Sequence, residues 1–153
     1  MTRQKTLILL AAGGSAALLL GALAFQHLGG MAPCKLCIWQ RWPHGIAIGL
    51  GLVALVAWPT LMAALGALAA LTTAVIGGYH TGVERGWWLG PADCSGGPVD
   101  GMSSEALFDQ IMAAPLVRCD EVPWEMWSLS MASWNMLASL ALAVIWVLAL
   151  RAR

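Results

Sequence analysis

Charged side chains are scarce in this sequence, which has 153 residues but only eight Lys or Arg and eight Asp or Glu. A soluble domain carries about one quarter charged residues, and a share of 10% cannot coat a surface that faces water. The formal net charge is zero and no basic block is present, which excludes nucleic-acid binding by electrostatic attraction. We therefore predict an all-α integral membrane protein with a single domain over residues 1–153.

Four membrane spans are predicted from the positions of the charges. Three long uncharged runs lie between Lys5 and Lys35, between Arg41 and Glu84, and between Glu125 and Arg151. A spanning helix needs about 20 apolar residues, so the first and last runs hold one span each. The middle run holds two spans, because Pro59 ends a helix and allows a turn. The predicted four-helix bundle has spans at about 6–28, 38–57, 61–80 and 130–150.

The orientation follows from the basic residues that flank the first span. Four spans place both termini on one side of the membrane and the loops at about 29–37 and 81–129 on the other. Arg3 and Lys5 directly precede the first span, and by the positive-inside rule this predicts cytoplasmic termini. The two loops are then extracytoplasmic. A cleaved signal peptide over residues 1–24 is the alternative, and it leaves the first loop outside as well.

All the cysteines of the chain lie in the two predicted outer loops: Cys34, Cys37, Cys94 and Cys119. Disulfides form and persist in oxidising compartments, which lie outside the cytoplasm. An even number of cysteines on one side of the membrane indicates two pairs. The pairing stays open at this point, because four cysteines allow three connectivities.

The first outer loop carries a Cys-x-x-Cys motif, Cys34 to Cys37, near the start of the second span. Such motifs often have a lowered thiol pKa and a labile disulfide, and a helix N-terminus at Cys37 favours an anion. Arg41 follows four residues later and shares a helix face with Cys37. The motif indicates redox chemistry, with a structural staple as the alternative, and with interfacial snorkelling as the alternative for Arg41.

The spacing of the cysteines argues against a metal site in this loop. The motif alone could be half of a zinc site. The remaining cysteines lack the spacing of a second half-site, so no metal is expected.

Pro43 has no N–H to donate within a helix. The second helix is therefore predicted to begin either at Ile38 or near Pro43.

The second outer loop is rich in glycine and proline around Cys94 and then holds a short predicted helix. Ser103 and Glu105 are typical of a helix start. The apolar face that follows is predicted to lie on the membrane surface and consists of Leu107, Phe108, Ile111 and Met112. A disulfide in such a loop is expected to be exposed and labile. His80 ends the third span and is interpreted as an interfacial polar residue.

In combination, these features resemble the DsbB family of bacterial membrane thiol oxidases over nearly the whole chain. The shared features are four spans, the motif Pro-Cys-x-Leu-Cys at residues 33–37 followed by Arg41, and two spaced cysteines in a long outer loop. Residues 118–124, which read RCDEVPW, also resemble the family. A lone Cys-x-x-Cys is a weak signal, whereas the combination is specific.

The resemblance implies a relay between two cysteine pairs in the bacterial inner membrane, with the cysteines on the periplasmic side. A reduced DsbA-like protein of the thioredoxin fold attacks Cys94, and the released Cys119 then attacks Cys34. The electrons reach Cys37, which faces a bound quinone, either ubiquinone or menaquinone.

Arg41 and His80 match family residues that lie near the quinone, and this makes them the expected cofactor-binding residues. Two other functions fit the residues. An enzyme similar to the vitamin K epoxide reductases has a related plan, and a non-enzymatic membrane assembly factor stapled by two disulfides needs no electron acceptor.

Overall fold

The computed structural model describes residues 2–92, 94–95, 101–113 and 117–152 of the chain. Within these residues the helices are α1 Arg3–His27, α2 Lys35–Ala54, α3 Pro59–Glu84, α4 Ser104–Ala113 and α5 Met131–Arg151. The strands β1 Glu125–Met126 and β2 Leu129–Ser130 form one short antiparallel hairpin. The chain is mostly helical, which confirms the predicted all-α class.

The four long helices form a bundle in which each helix packs against two neighbours. α3 packs against both α2 and α5, and α1 packs against α2 and α5 on the other side. Of the described helices, α1, α3 and α5 are long and apolar enough to cross a membrane. α2 falls below that standard because its first half carries Gln40, Arg41 and His44. Polar residues at membrane depth are costly and usually face the interior of a bundle.

Two predicted helix boundaries are wrong by about one turn. α2 begins at Lys35 rather than at Ile38 or Pro43, because the Cys34 side chain caps the helix by accepting a hydrogen bond from the Cys37 N–H. Pro43 is accommodated inside α2, as prolines often are in membrane helices. α3 continues past His80 to Glu84. The two extensions place Cys37 in the first turn of α2 and Glu84 in the last turn of α3.

The centre of the bundle is packed around Trp146 on α5, which is completely buried. A Cβ atom on Gly66 of α3 would lie 2.6 Å from the Trp146 ring, so only glycine leaves room for the indole. In the same layer, Gly51 of α2 approaches the Ala12 methyl group of α1. Small residues let membrane helices pack closely. The apolar core therefore depends on glycine positions on the faces that α2 and α3 turn inward.

We predict that G66A destabilises the bundle because the new methyl group overlaps Trp146. The matched control is G49A, since nothing lies within 4 Å of a Cβ at Gly49 and both changes give the same gain in helix propensity. Relative to G49A, the free energy of unfolding of G66A should fall by about 1–3 kcal/mol, the usual cost of overpacking. Thermal unfolding in detergent measures the difference. Equal midpoints for the two variants would contradict this account of the core.

Candidate active site

The two cysteine pairs lie together in a second buried cluster, at the end of the bundle opposite the chain termini. Cys94 and Cys119 form a disulfide. Cys34 and Cys37 are thiols whose sulfur atoms lie 2.8 Å apart. Cys34, Cys94 and Cys119 share one apolar cluster with Leu36 and Val83, and Cys37 packs against its edge. Sulfurs far apart in the sequence are thus brought into one small core.

The outer disulfide is buried, so the expectation of an exposed bridge is wrong. Cys94 is 1% exposed and Cys119 is completely buried. The cause is tertiary packing, since the bridge lies in the cluster with Leu36 of α2 and Val83 of α3. These sulfurs are therefore shielded from molecules outside the protein as long as the bridge stays in the cluster.

The two thiols of the Cys-x-x-Cys motif differ in their surroundings. Cys34 is 5% exposed and precedes α2, whereas Cys37 is half-buried in the first turn of that helix. Hydrogen bonding to the Cys37 sulfur, and then burial, raises the pKa of the Cys34 thiol well above its usual range. Cys34 is therefore the protonated member of the reduced pair, and any negative charge lies on Cys37.

His80 is buried between the two cysteine pairs and is not an interfacial residue. Its Nε2 lies 3.6 Å from the Cys34 sulfur, and the ring also forms a hydrogen bond with the Cys119 backbone. On the same side, a carboxylate oxygen of Glu84 lies 3.7 Å from Nε2. The other oxygen of Glu84 accepts a hydrogen bond from the Ser130 hydroxyl. One imidazole thus contacts both redox pairs and a buried carboxylate.

Arg41 lies on α2 one turn after Cys37 and is held against α1. Its guanidinium donates hydrogen bonds to the Gln26 side-chain oxygen and, at 3.5 Å, to the Ala22 carbonyl. The positive charge lies close enough to act on the Cys37 sulfur. These contacts hold the cation against α1, within electrostatic range of the half-buried thiol.

Several polar residues of this region carry no motif that predicts a site role. Glu84 bounds a long uncharged run, and Gln40, Thr73 and Asn135 lie within predicted spans. The available signal was their polarity at membrane depth, because polar side chains there usually face a functional interior. Only the structure shows that they connect to His80.

Three potential ligands of a soft metal lie within 4.8 Å of one another, namely the sulfurs of Cys34 and Cys37 and a ring nitrogen of His80. A metal ligand must offer a lone pair. The Gln40 amide nitrogen lies 2.9 Å from His80 Nδ1 and donates to it, which places the ring proton on Nε2, the nitrogen that faces the sulfurs. This arrangement is suited to a hydrogen-bond donor and disfavours a metal.

Comparison with known proteins places this site in a family. A family model described as disulfide bond formation protein DsbB matches residues 4–149. The chain is 35% identical to disulfide bond formation protein B of Stutzerimonas stutzeri (strain A1501), over 95% of this chain and 93% of that protein. It is 32% identical to disulfide bond formation protein B of Verminephrobacter eiseniae (strain EF01-2), over 90% of this chain and 80% of that protein.

The matches extend across all the long helices and both cysteine pairs, so they concern the whole bundle and not a local motif. They favour disulfide formation over the epoxide reductase and the stapled assembly factor. The chain is a membrane protein and a disulfide-generating oxidoreductase. With its two cysteine pairs gathered at one end of a four-helix bundle, it belongs to the DsbB family of disulfide bond formation proteins.

Proposed function

We propose that this protein reoxidises a DsbA-like dithiol protein of the thioredoxin fold in the bacterial periplasm and passes the electrons to a membrane quinone, ubiquinone or menaquinone. The observation that supports the proposal best is that both cysteine pairs occupy one buried cluster, although the pairs lie far apart in the sequence. Sulfurs gathered in one cluster are placed to exchange disulfide bonds with one another.

The first exchange takes place at the outer pair. A thiolate of the reduced partner attacks the Cys94 sulfur, forms a mixed disulfide and releases Cys119 as a thiolate. Because the bridge is buried, the segment that carries it must leave the cluster for this step and return with Cys119 free. Its return brings Cys119 back to His80 and the inner pair.

The second exchange joins the two pairs and conserves both atoms and electrons. The Cys119 thiolate attacks Cys34 in the Cys34–Cys37 disulfide, forms a Cys34–Cys119 bridge and releases Cys37 as a thiolate. The partner then resolves its mixed disulfide and frees Cys94, which attacks Cys119 and releases Cys34. The outer disulfide is restored, the partner leaves oxidised, and two electrons reside on Cys34 and Cys37.

The surroundings of Cys37 fit a quinone. A bound quinone supplies a two-electron acceptor that is soluble in the lipid. Cys37 is the less buried member of its pair, and Ile38 and Trp39 beside it are exposed, which gives a flat apolar molecule a surface to lie on. Arg41 has five N–H donors, of which two are used by Gln26 and Ala22, so others remain to hold a carbonyl oxygen.

The proposed location is the bacterial inner membrane, with both termini in the cytoplasm and the cysteines in the periplasm. Arg3, Lys5 and Arg151 mark one end of the bundle, and the cysteine cluster lies at the other. The apolar side chains of α4 are mostly exposed, at 62% for Phe108 and Ile111 and 70% for Met112. We propose that this face of α4 lies on the membrane surface.

We predict that C37S abolishes quinone reduction but still captures the partner. The variant lacks the sulfur nearest the proposed quinone surface but keeps the Cys94–Cys119 disulfide that the partner attacks. Purified protein is mixed with reduced DsbA-like protein and quinone, and the loss of quinone is followed optically. Mixed disulfides are then mapped by mass spectrometry. Quinone reduction at the wild-type rate would refute the proposed route, and loss of partner capture would indicate a folding defect.

We predict that R41M weakens quinone use while thiol exchange is retained. Losing one charged hydrogen-bond donor, worth about 1.5–3 kcal/mol, should raise the KM for quinone by about tenfold or more. The matched control is R151M, which removes an exposed arginine at the opposite end of the bundle. The KM is measured with the DsbA-like protein at saturation. Identical KM values for R41M and R151M would show that Arg41 does not bind the quinone and only anchors α2 at the membrane interface.

We predict that Cys37 is alkylated before Cys34 in the protein with a reduced inner pair. The raised pKa of Cys34 keeps it protonated at mildly alkaline pH, and only the thiolate reacts with iodoacetamide. Peptide mass spectrometry of briefly treated protein should find the label on Cys37. In denatured protein, used as the control, the two cysteines should react at similar rates. Preferential labelling of Cys34 in folded protein would reverse the proposed assignment of the charge.

A further inference from the structure

A chain of buried polar side chains runs from the active site toward the middle of the bundle. The Gln40 amide nitrogen donates to His80 Nδ1 at 2.9 Å and to the Leu36 carbonyl at 3.2 Å. The Gln40 side-chain oxygen accepts a hydrogen bond of 2.7 Å from the Asn135 amide. The Asn135 oxygen lies 2.9 Å from His44 Nε2. Side chains of α2, α3 and α5 therefore form one connected network.

The hydrogen bonds of Gln40 have only one consistent orientation. If the amide were reversed, its oxygen would face the Leu36 carbonyl and its nitrogen would face the Asn135 nitrogen, leaving two unfavourable contacts. Thr73 fixes the Asn135 amide as well, since its hydroxyl donates to the Gln40 backbone carbonyl and accepts from the Asn135 nitrogen. The amides thereby determine that His80 Nδ1 is an acceptor, so the single proton of the neutral ring lies on Nε2.

That proton faces the atoms that change charge in the exchange between the pairs. His80 Nε2 lies 3.6 Å from the Cys34 sulfur and 3.7 Å from a carboxylate oxygen of Glu84, and the ring also forms a hydrogen bond with the Cys119 backbone. The Cys34 sulfur accepts a further hydrogen bond of 3.2 Å from the Cys37 backbone N–H. The Cys34 sulfur therefore has the Cys37 N–H as one donor and the His80 Nε2–H within reach as a second, and the sulfur shares this second donor with the Cys119 backbone and Glu84.

We infer that Gln40 and Asn135 are positioning residues that hold His80 as an Nε2–H donor, so that His80 stabilises the Cys34 thiolate when it leaves the Cys34–Cys119 bridge. This inference rests on the proposed exchange between the pairs. In that step Cys94 attacks Cys119, the Cys94–Cys119 disulfide forms and the electron pair of the broken bond stays on Cys34. A buried thiolate without donors is a poor leaving group, because desolvation disfavours the charge.

The network acts through the orientation of His80 while Cys34 leaves as a thiolate, and protonation of that thiolate to give the Cys34 thiol of the reduced pair follows as a separate step. In the opposite tautomer a lone pair on Nε2 would face the Cys34 sulfur and repel a thiolate. It would also complete the set of soft-metal ligands made by Cys34, Cys37 and His80. Holding the proton on Nε2 therefore serves catalysis and keeps the reduced pair from capturing thiophilic ions such as Zn²⁺.

The experiment compares the variants Q40M and N135L with the control Q4M. Gln4 is a glutamine near the opposite end of the bundle that bonds Thr60 and the Ala149 carbonyl, so Q4M makes the same chemical change away from the site. Protein labelled with ¹⁵N-histidine reports the protonation of each ring nitrogen, and the His80 signals are identified by their loss in H80Q. The lifetime of the Cys34–Cys119 bridge during turnover is followed by acid quench and mass mapping.

In the wild type and Q4M, we expect His80 to be protonated only at Nε2. In Q40M and N135L, both tautomers should appear and the Cys34–Cys119 bridge should persist about tenfold longer, as expected for a weakened hydrogen bond to a charged group. Zn²⁺ should bind more tightly to reduced C94S/C119S protein that also carries Q40M, because the Nε2 lone pair becomes available to the ion.

Protonation of His80 at Nδ1 in the wild type would overturn the inference, and so would a tautomer and bridge lifetime that Q40M and N135L both leave unchanged. Failure of the underlying relay has a different signature. In that case no Cys34–Cys119 bridge forms in the wild type during turnover, whatever the tautomer of His80. The two ideas therefore fail by different measurements.

Discussion

The active site depends on the rule that polar groups buried in a membrane bundle need hydrogen-bond partners. α2 carries Gln40, Arg41 and His44, and it is more polar than the three helices that are apolar enough to cross a membrane. The neighbouring helices supply hydrogen-bond partners for these residues, although Nδ1 of His44 has none. α3 supplies His80 and Thr73, α5 supplies Asn135, and α1 supplies acceptors for Arg41. The same hydrogen bonds that keep α2 in the bundle also orient the groups around the cysteines.

The structure separates the apolar and polar parts of the bundle along its length. Near the chain termini, Trp146 occupies a space left by Gly66, and apolar packing holds the helices together. Toward the other end, hydrogen-bonded side chains replace this packing and lead to the sulfur cluster. Rigid apolar packing in one half gives the polar half a fixed frame, which matters because a hydrogen-bond network that is only partly satisfied would destabilise the protein.

Burial gives each sulfur of the cluster a distinct chemical character. Cys34 and Cys119 are exposed by 5% and 0%, so the proposed exchange between the pairs would be shielded from water and from other thiols. Cys37 is the more accessible atom of the inner pair and lies under the influence of Arg41. In the proposed relay, the buried sulfurs exchange disulfide bonds with one another, and the half-buried Cys37 sulfur reduces the quinone.

The sequence by itself determined the class of the protein, its four long helices and the chemistry of its cysteines, because scarcity of charge, run length and Cys-x-x-Cys spacing are local properties. Helix ends were missed by about a turn where a cap at Cys34 or packing around Glu84 extended the helix. Only the tertiary structure decided that the Cys94–Cys119 bridge is buried, that His80 contacts both pairs and that Gln40 and Asn135 orient it. These are contacts between segments distant in sequence, and no local pattern encodes which side chains meet when the helices pack.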